Sequence, residues 1–214
     1  MNDIDKEYWT KLFDNVDFKP KKELWLNKYF NQFPKGAKVL DLGVFHGFDT
    51  ENLLEHGFDV VSIDFVPKAI EDLKRRLPQA KGLVFDMLKD DWNIFKTDSF
   101  DAVTSNLSLH YFSVKDTKRI IGEIQRILKP RGLLLARVNS TTDIVNSMGD
   151  NTLVEENFYI SSSNRGSNHK RYFSEGDVKK FFSPMGKVFY QECESDRGVK
   201  KKIAWEIHAI NKKG

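Results

Sequence analysis

The sequence predicts an α/β protein with a mostly parallel sheet, helices on both faces and an antiparallel hairpin at the C-terminal end. Short apolar runs alternate with amphipathic helical stretches from Ala37 to Val138, a pattern typical of parallel sheets. Two later apolar runs, 187–193 and 203–210, are too close together for a helical crossover, so we expect them to pair antiparallel. With 214 residues, 40% of them hydrophobic, the chain can bury the core of one domain.

Hydrophobic periodicity and breaker residues place the individual elements. The predicted strands cover residues 37–42, 58–64, 81–85, 100–105, 133–138, 187–193 and 203–210. The predicted helices cover residues 24–33, 49–56, 67–76, 114–128 and 174–182. We therefore divide the chain into an aromatic helical lid or cap, 1–36, and a single domain, 37–214, with a long loop at 139–171.

Composition and charge exclude several classes of protein. A net charge of +3 is too small to indicate a nucleic-acid surface, and the short lysine runs at 19–22, 200–202 and 212–213 are interpreted as solubilising. No apolar run reaches membrane-spanning length and the N-terminal residues are acidic and mixed, so we expect a cytoplasmic protein without a membrane partner. Lone Cys193 excludes an internal disulfide, and the histidines lack metal-ligand spacing, so no metal is expected. No sequence feature specifies the oligomeric state.

The most informative segment is the turn from Gly43 to Gly47, between the first predicted strand and its helix. Glycine lets backbone approach a ligand closely, and the helix N-terminus that follows offers unpaired N–H groups. Asp64 closes the next strand about 20 residues further on, where an acid commonly binds ribose hydroxyls. This pattern indicates a cofactor of the adenosine type.

Several segments together resemble the class I S-adenosylmethionine-dependent methyltransferases. The resemblance covers nearly everything from Lys35 to Phe182, and within this superfamily the likeness is greatest to small bacterial enzymes of the tellurite-resistance type. It implies a Rossmann-like, seven-stranded sheet whose last strand is inserted antiparallel, which agrees with the hairpin expected from spacing alone. The segments that carry it are Val39–Gly43 with Gly47, Val60–Asp64, Asp86, Leu109–Phe112, Leu128–Leu135, Arg137–Ser140 and Tyr172–Ser174.

The resemblance also implies roles for individual residues. Asp41 and Gly43 would lie beside the methionine moiety of S-adenosylmethionine, with backbone from Gly43 to Gly47 curving around it. Asp64 would hold both ribose hydroxyls by charge-assisted hydrogen bonds. The other implied contacts are Phe65, Asp86 and Met87 at the adenine, and Asn106 and Leu107 at the sulfonium end.

The chain departs from the family pattern at Phe45, which stands where a middle glycine is usual. A bulky side chain at this point either turns away from the cofactor or narrows the site. The alternative function is therefore a catalytically degenerate methyltransferase-fold protein that acts as a binding or regulatory module. A nicotinamide-dependent oxidoreductase also uses a glycine turn and a later acid, but Gly43 and Gly47 do not give its G-x-G-x-x-G spacing.

Methyl transfer to a small-molecule acceptor, leaving S-adenosylhomocysteine, is an in-line displacement that requires no metal and no covalent nucleophile. A base is useful only if the acceptor must lose a proton, and His110 is the candidate base, with packing as its ordinary role. His46 either contacts the cofactor carboxylate or caps the helix. The candidate acceptor-binding residues are Tyr8, Trp9, Arg137, Asn139 and Tyr172.

Overall fold

The computed structural model contains one large sheet of seven strands with helices on both faces, and a small second sheet. It describes residues 3–15, 21–144, 150–163, 166–196 and 201–213. The strands are β1 (Lys38–Leu42), β2 (Asp59–Asp64), β3 (Lys81–Val84), β4 (Phe100–Asn106), β5 (Leu128–Asn139), β6 (Asp150–Glu155), β7 (Phe158–Ser163), β8 (Gly166–Arg171), β9 (Gly186–Asp196) and β10 (Lys201–Asn211). The α-helices are α1 (Asp3–Asp14), α2 (Phe48–Glu55), α3 (Pro67–Arg76), α4 (Val114–Ile127) and α5 (Glu175–Phe182).

The large sheet has the order β3-β2-β1-β4-β5-β10-β9. Neighbouring strands from β3 to β5 run parallel, whereas β10 is antiparallel to both β5 and β9. The predicted fold class, including the terminal hairpin, is confirmed. Strands β1 to β3 are added toward one edge of the sheet, whereas β4 and β5 are added on the other side of β1. Such a switch between β1 and β4 leaves a crevice outside the carboxyl ends of these strands, where ligands bind in open α/β folds.

Two apolar cores lie on opposite faces of the sheet, as the alternation of side chains along a strand requires. Leu40 and Leu42 belong to the larger core with α4 and α5, while Val39 belongs to the core formed with Trp25 and Leu26. Helix α4 contributes four buried isoleucines, and burial of each stabilises the fold by about 1.5–3 kcal/mol.

Local capping chemistry fixes where the helices begin. Pro67 occupies the first turn of α3, Ser113 accepts from the N–H of Asp116 at the start of α4, and Ser174 forms a capping box with Asp177 on α5. No helix in the described ranges is both long and apolar enough to cross a membrane.

Two predictions for the connecting regions were wrong. Residues 24–33 contain only a short 3₁₀ helix, Asn27–Gln32, and the principal N-terminal helix is α1. The stretch 139–171, predicted as a long loop, contains the three-stranded antiparallel sheet β6-β7-β8. Its strands are rich in polar residues and largely lack the alternation of apolar residues by which strands are identified in sequence.

Candidate functional site

A cavity of ≈ 250 Å³ lies at the carboxyl edge of the parallel strands. Its walls come from the segments at the ends of β1, β2, β3 and β4, from α1, from Lys21 and Glu23, from two residues of β8 and from one residue of β10. The predicted cofactor residues on these walls are Asp41, Gly43, His46, Asp64, Phe65, Asp86, Met87, Asn106 and Leu107. Gly47 is not among the cavity-lining residues; it is the N-cap of α2.

The turn after β1 needs glycine for two separate reasons. Gly43 and Gly47 have φ values of +72° and +71°, in the left-handed region that favours glycine. A Cβ atom at Gly43 would lie 2.5 Å from Cβ of Ser108, and one at Gly47 would lie 2.5 Å from Cδ1 of Leu73. Neither position has room for a side chain, so the backbone packs closely against its neighbours.

Asp64 is held at the end of β2 by the main chain on both sides. Its Oδ1 accepts from the N–H of Val66 and its Oδ2 from the N–H of Phe45, each at 2.9 Å. Burial raises the pKa of this carboxyl to about 6, although the backbone N–H donors act in the opposite direction. A carboxylate has about four lone-pair positions, so both oxygens can still accept from a ligand.

Asp41 is 2% exposed and lies beneath the glycine turn. Its two oxygens accept from the hydroxyls of Thr50 at 2.7 Å and Thr104 at 2.8 Å, which fixes the side chain. Burial, together with the nearby carboxylate of Asp49, raises the pKa of Asp41. A buried acid of this kind favours a cation in the adjoining cavity.

The segments after β3 and β4 form the next part of the wall. Asp86 accepts from the N–H of Leu88 at 2.9 Å, and the main-chain carbonyl of Met87 accepts from the Trp92 indole at 3.1 Å. Leu107 adopts a φ of +58°, with its N–H donating to the Arg137 carbonyl at 3.0 Å. Among the described residues, no group donates a hydrogen bond to the buried Oδ1 of Asn106.

Helix α1 covers the glycine turn with aromatic side chains. The Trp9 ring meets the rings of Phe45 and Tyr111 edge to face, with centroids 5.5 Å and 5.2 Å apart. The ring centroids of Phe13 and Phe45 are 5.6 Å apart. Phe45 has a φ of +46°, and its ring packs against α1. Tyr8 and Trp9, both predicted to bind the acceptor, line the cavity.

The structure does not bring His110 to the cavity, contrary to the expectation that it serves as a base there. The residue is 0% exposed, and a side chain without exposure cannot meet a ligand. Its Nδ1 accepts from the N–H of Asn139 at 3.3 Å and its carbonyl from the N–H of Arg171 at 2.7 Å. His110 thus joins β5, β8 and the loop after β4.

Three predicted acceptor-binding residues are also buried away from the cavity. The guanidinium of Arg137 pairs with Glu206 at 3.1 Å and with Glu23 at 3.2 Å, and it lies 4.8 Å from the centre of the Trp25 ring. Asn139 and Tyr172 are each 1% exposed. The alternation that placed Arg137 and Asn139 on one face did not show that Glu23 and Trp25 of the N-terminal segment cover Arg137. Nor did it show that β10, paired beside β5, brings Glu206 to the same guanidinium.

Several polar cavity residues were missed in the sequence. They are Lys21, Glu23, Asp49, Asn168, Lys170 and Lys202. Lys21 and Lys202 belong to runs interpreted as solubilising, of which Lys19 and Lys200 lie outside the described residues. The predicted hairpin could have located Lys202, because the start of a strand antiparallel to β5 lies at the carboxyl edge of the sheet.

Residues 40–136 match the family model described as a methyltransferase domain. An uncharacterized methyltransferase from Synechocystis is 36% identical over 101 residues, which are 46% of this chain and 45% of that protein. The match therefore spans less than half of the relative's length.

Solved structures show the same fold. An S-adenosylmethionine-dependent methyltransferase from Methanosarcina mazei has a TM-score of 0.71 at 18% identity, covering 86% of this chain and 97% of its own. A second neighbour is the 1,6-didemethyltoxoflavin N1-methyltransferase of Burkholderia thailandensis, solved with bound 1,6-didemethyltoxoflavin and S-adenosylhomocysteine. It has a TM-score of 0.61 at 18% identity, covering 89% of this chain and 82% of its own. At 18% identity, these neighbours show the fold of this chain.

Proposed function

We propose that this chain, whose matched domain and fold support a class I S-adenosylmethionine-dependent methyltransferase, transfers a methyl group to a small-molecule acceptor. The observation that carries the proposal is the bond between the glycine turn and the acid of β2, Phe45 N–H to Asp64 Oδ2 at 2.9 Å. This bond holds a close backbone surface and a buried carboxylate side by side on one cavity wall.

The residues present fit the cofactor. Gly43 leaves no room for a Cβ, as a turn that presents bare backbone requires. Asp64 would hold the ribose hydroxyls, with Phe65 and Met87 as apolar walls for the adenine. Asn106 offers an Oδ1 that lacks a donor among the described residues, and a ligand amino group would satisfy it.

Bound S-adenosylmethionine supplies a methyl group already activated by its sulfonium. The protein's contribution is to hold the acceptor in line and to exclude water, and holding two reactants in place can contribute on the order of 7–11 kcal/mol in ideal cases. Tyr8 and Trp9 cover the cavity from α1 and limit the access of water. Asp41, Asp49, Asp64 and Asp86 make this end of the cavity acidic, which suits a cationic cofactor.

A small-molecule acceptor is supported by the size of the cavity, ≈ 250 Å³, and by its aromatic cover. The Burkholderia enzyme of the same fold is a precedent, since it was solved with its small substrate. The likeness to the tellurite-resistance type and the cytoplasmic location stay predictions.

Release of S-adenosylhomocysteine in the presence of a panel of thiols, amines, phenols and oxyanions tests the proposal. We expect turnover of at least one acceptor class, and a loss of more than about tenfold for Asp64→Asn. Asp59→Asn is the matched control, because Asp59 is an acid at the opposite end of β2 whose partner is Lys81. Equal turnover by wild type and Asp64→Asn would contradict the proposed site.

A further inference from the structure

Buried hydrogen-bond donors on two walls of the cavity lack an acceptor in the part of the chain that the structure describes. They are the indole Nε1 of Trp9 on α1 and the amide Nδ2 of Asn168 on β8. Buried polar groups in folded proteins are nearly always hydrogen-bonded, so donors left over beside a cavity are available to a molecule bound there. Neither residue belongs to the segments at the ends of β1, β2 and β3 that form the cofactor side.

Asn168 has no structural reason to be an amide. It is 2% exposed, and a leucine of similar size would fill the position without burying an unsatisfied donor. In the small sheet it lies opposite Ser161 of β7, which lies opposite Asn151 of β6. Residues directly opposite on antiparallel strands share one face of a sheet, so these polar side chains form a row that ends at the cavity.

A buried contact ties together the two elements that carry the donors. The main-chain N–H of His169, next to Asn168, donates to Oδ1 of Asp5 at 2.6 Å, and His169 Nδ1 lies 2.9 Å from Oδ2 of the same carboxylate. Asp5 is 1% exposed and precedes Trp9 by four residues, one turn along the same face of α1. The donors are therefore held in place before a ligand binds, which lowers the entropy cost of binding.

Aromatic rings border this part of the cavity. The Trp9 ring meets the rings of Tyr8 and Tyr111 edge to face, with centroids 5.4 Å and 5.2 Å apart, and all three residues line the cavity. Such walls favour a planar body, which can stack on rings or meet their edges. Trp9 can therefore offer both a ring surface and an N–H to one ligand.

We propose that the Trp9 indole N–H and the Asn168 amide bind the methyl acceptor, and that this acceptor is a planar compound with a carbonyl or carboxylate oxygen at their position. The inference rests on the proposed function for the identity of the reaction. An sp² oxygen carries two lone pairs and accepts from N–H donors near its plane. An analogue without that oxygen leaves the donors unsatisfied, so the site discriminates strongly against it.

Calorimetry on protein saturated with S-adenosylhomocysteine tests the inference with acetophenone, benzoate and α-methylstyrene as probes. α-Methylstyrene has a methylene group in place of the carbonyl oxygen of acetophenone, so it keeps the shape and loses the acceptor atom. We expect acetophenone or benzoate to bind at least about tenfold more tightly than α-methylstyrene. A preference for acetophenone assigns a neutral carbonyl to the acceptor, and a preference for benzoate assigns a carboxylate.

Variants test each donor separately. Trp9→Phe and Asn168→Leu remove one N–H donor each and keep an apolar side chain, and each should weaken the preferred probe by at least about fivefold. Because the Asn168 donor is unsatisfied in the free protein, Asn168→Leu should leave the midpoint of denaturant unfolding unchanged or raise it. Asn151→Leu is the matched control, since it makes the same change in the same small sheet at a residue that is not among those lining the cavity. It should leave probe affinity unchanged.

Equal binding of α-methylstyrene, no binding of acetophenone or benzoate, or unchanged probe affinity in either donor variant would overturn the inference. A lower unfolding midpoint for Asn168→Leu would also overturn it, because the amide would then have a structural role. So would a loss of more than about threefold in S-adenosylhomocysteine affinity in these variants, because the donors would then bind the cofactor.

The probes are also titrated into the protein alone, so the two proposals fail separately. Absence of cofactor binding contradicts the proposed function. Absence of probe binding contradicts only the acceptor class.

Discussion

The main-chain N–H of Phe45 donates to Oδ2 of Asp64 at 2.9 Å, so the residue that departs from the usual glycine pattern helps to orient the acid that we propose binds ribose. The Phe45 ring packs on Trp9 and Phe13 of α1. Phe45 therefore connects the glycine turn both to β2 and to the N-terminal cover.

The ionisation of Asp64 should control cofactor affinity. Burial raises the pKa of Asp64 to about 6. Ribose hydroxyls donate to the ionised carboxylate, so S-adenosylhomocysteine should bind equally well above about pH 7 and lose up to about tenfold per pH unit below 6. Calorimetry between pH 5 and 8 measures this, with Asp64→Asn expected to bind weakly at every pH. A flat profile for wild type would contradict the role of the carboxylate.

Phe45→Gly should loosen the cover and keep the cofactor site. Glycine accepts the φ of +46° without the strain of about 1 kcal/mol that a larger residue carries, and it retains the N–H that donates to Asp64. The lost ring contacts should increase amide exchange in α1, while S-adenosylhomocysteine affinity changes by less than about threefold. Phe45→Leu, which keeps the strain but removes the aromatic ring, is the control. Unchanged exchange in α1 together with lost cofactor affinity would show that the ring itself contacts the ligand.

Gly43→Ala should lower the free energy of unfolding by more than the strain of its backbone conformation accounts for. Gly43 and Gly57 have φ values of +72° and +80°, so alanine at either position should cost about 1–2 kcal/mol. Only at Gly43 does the new Cβ meet an obstacle, Cβ of Ser108 at 2.5 Å, whereas nothing lies within 4 Å at Gly57. Denaturant unfolding should give a lower free energy of unfolding for Gly43→Ala than for Gly57→Ala. The double variant Gly43→Ala/Ser108→Gly should regain part of the stability that Gly43→Ala loses. Equal loss in the two single variants would contradict the close packing of the turn.

Arg137→Met should destabilise the fold without affecting cofactor binding. Its removal takes one cation from buried Glu206, which keeps Lys28 and Tyr29 as partners, and takes the guanidinium from Glu23, so the loss should be about 1–3 kcal/mol. Lys81→Met breaks an exposed pair with Asp59 and should change the free energy of unfolding by less than about 0.5 kcal/mol. Wild-type stability in Arg137→Met, with loss of acceptor turnover, would restore the substrate role expected from the sequence.

The sequence analysis succeeded where side chains signal local structure. The helix predicted between Pro67 and Pro78 has the observed bounds, Pro67–Arg76. The spacing of the last two strands predicted their antiparallel pairing. The glycine turn and the acid that follows the next strand, Gly43 and Asp64, line the same cavity. These features depend on neighbouring residues, so they can be read without the tertiary structure.

The rest of the cavity depends on contacts between distant segments. Lys170 and Asn168 reach the cavity on a strand of polar sequence, in a sheet that has no local signal. His110 lies at a loop where a histidine facing the cavity was expected, but its carbonyl accepts from the Arg171 N–H and its side chain is fully buried. Such placements require knowledge of which segments cover the sheet.

The most direct test is calorimetric titration of S-adenosylmethionine, S-adenosylhomocysteine and NAD into the wild-type chain and its Asp64→Ala variant. We predict one site for the first two ligands, no binding of NAD, and a loss of more than about tenfold in S-adenosylhomocysteine affinity for the variant, because two charged hydrogen bonds are removed. Absence of binding by both S-adenosyl compounds, or equal affinity in wild type and Asp64→Ala, would contradict the assignment of this cavity.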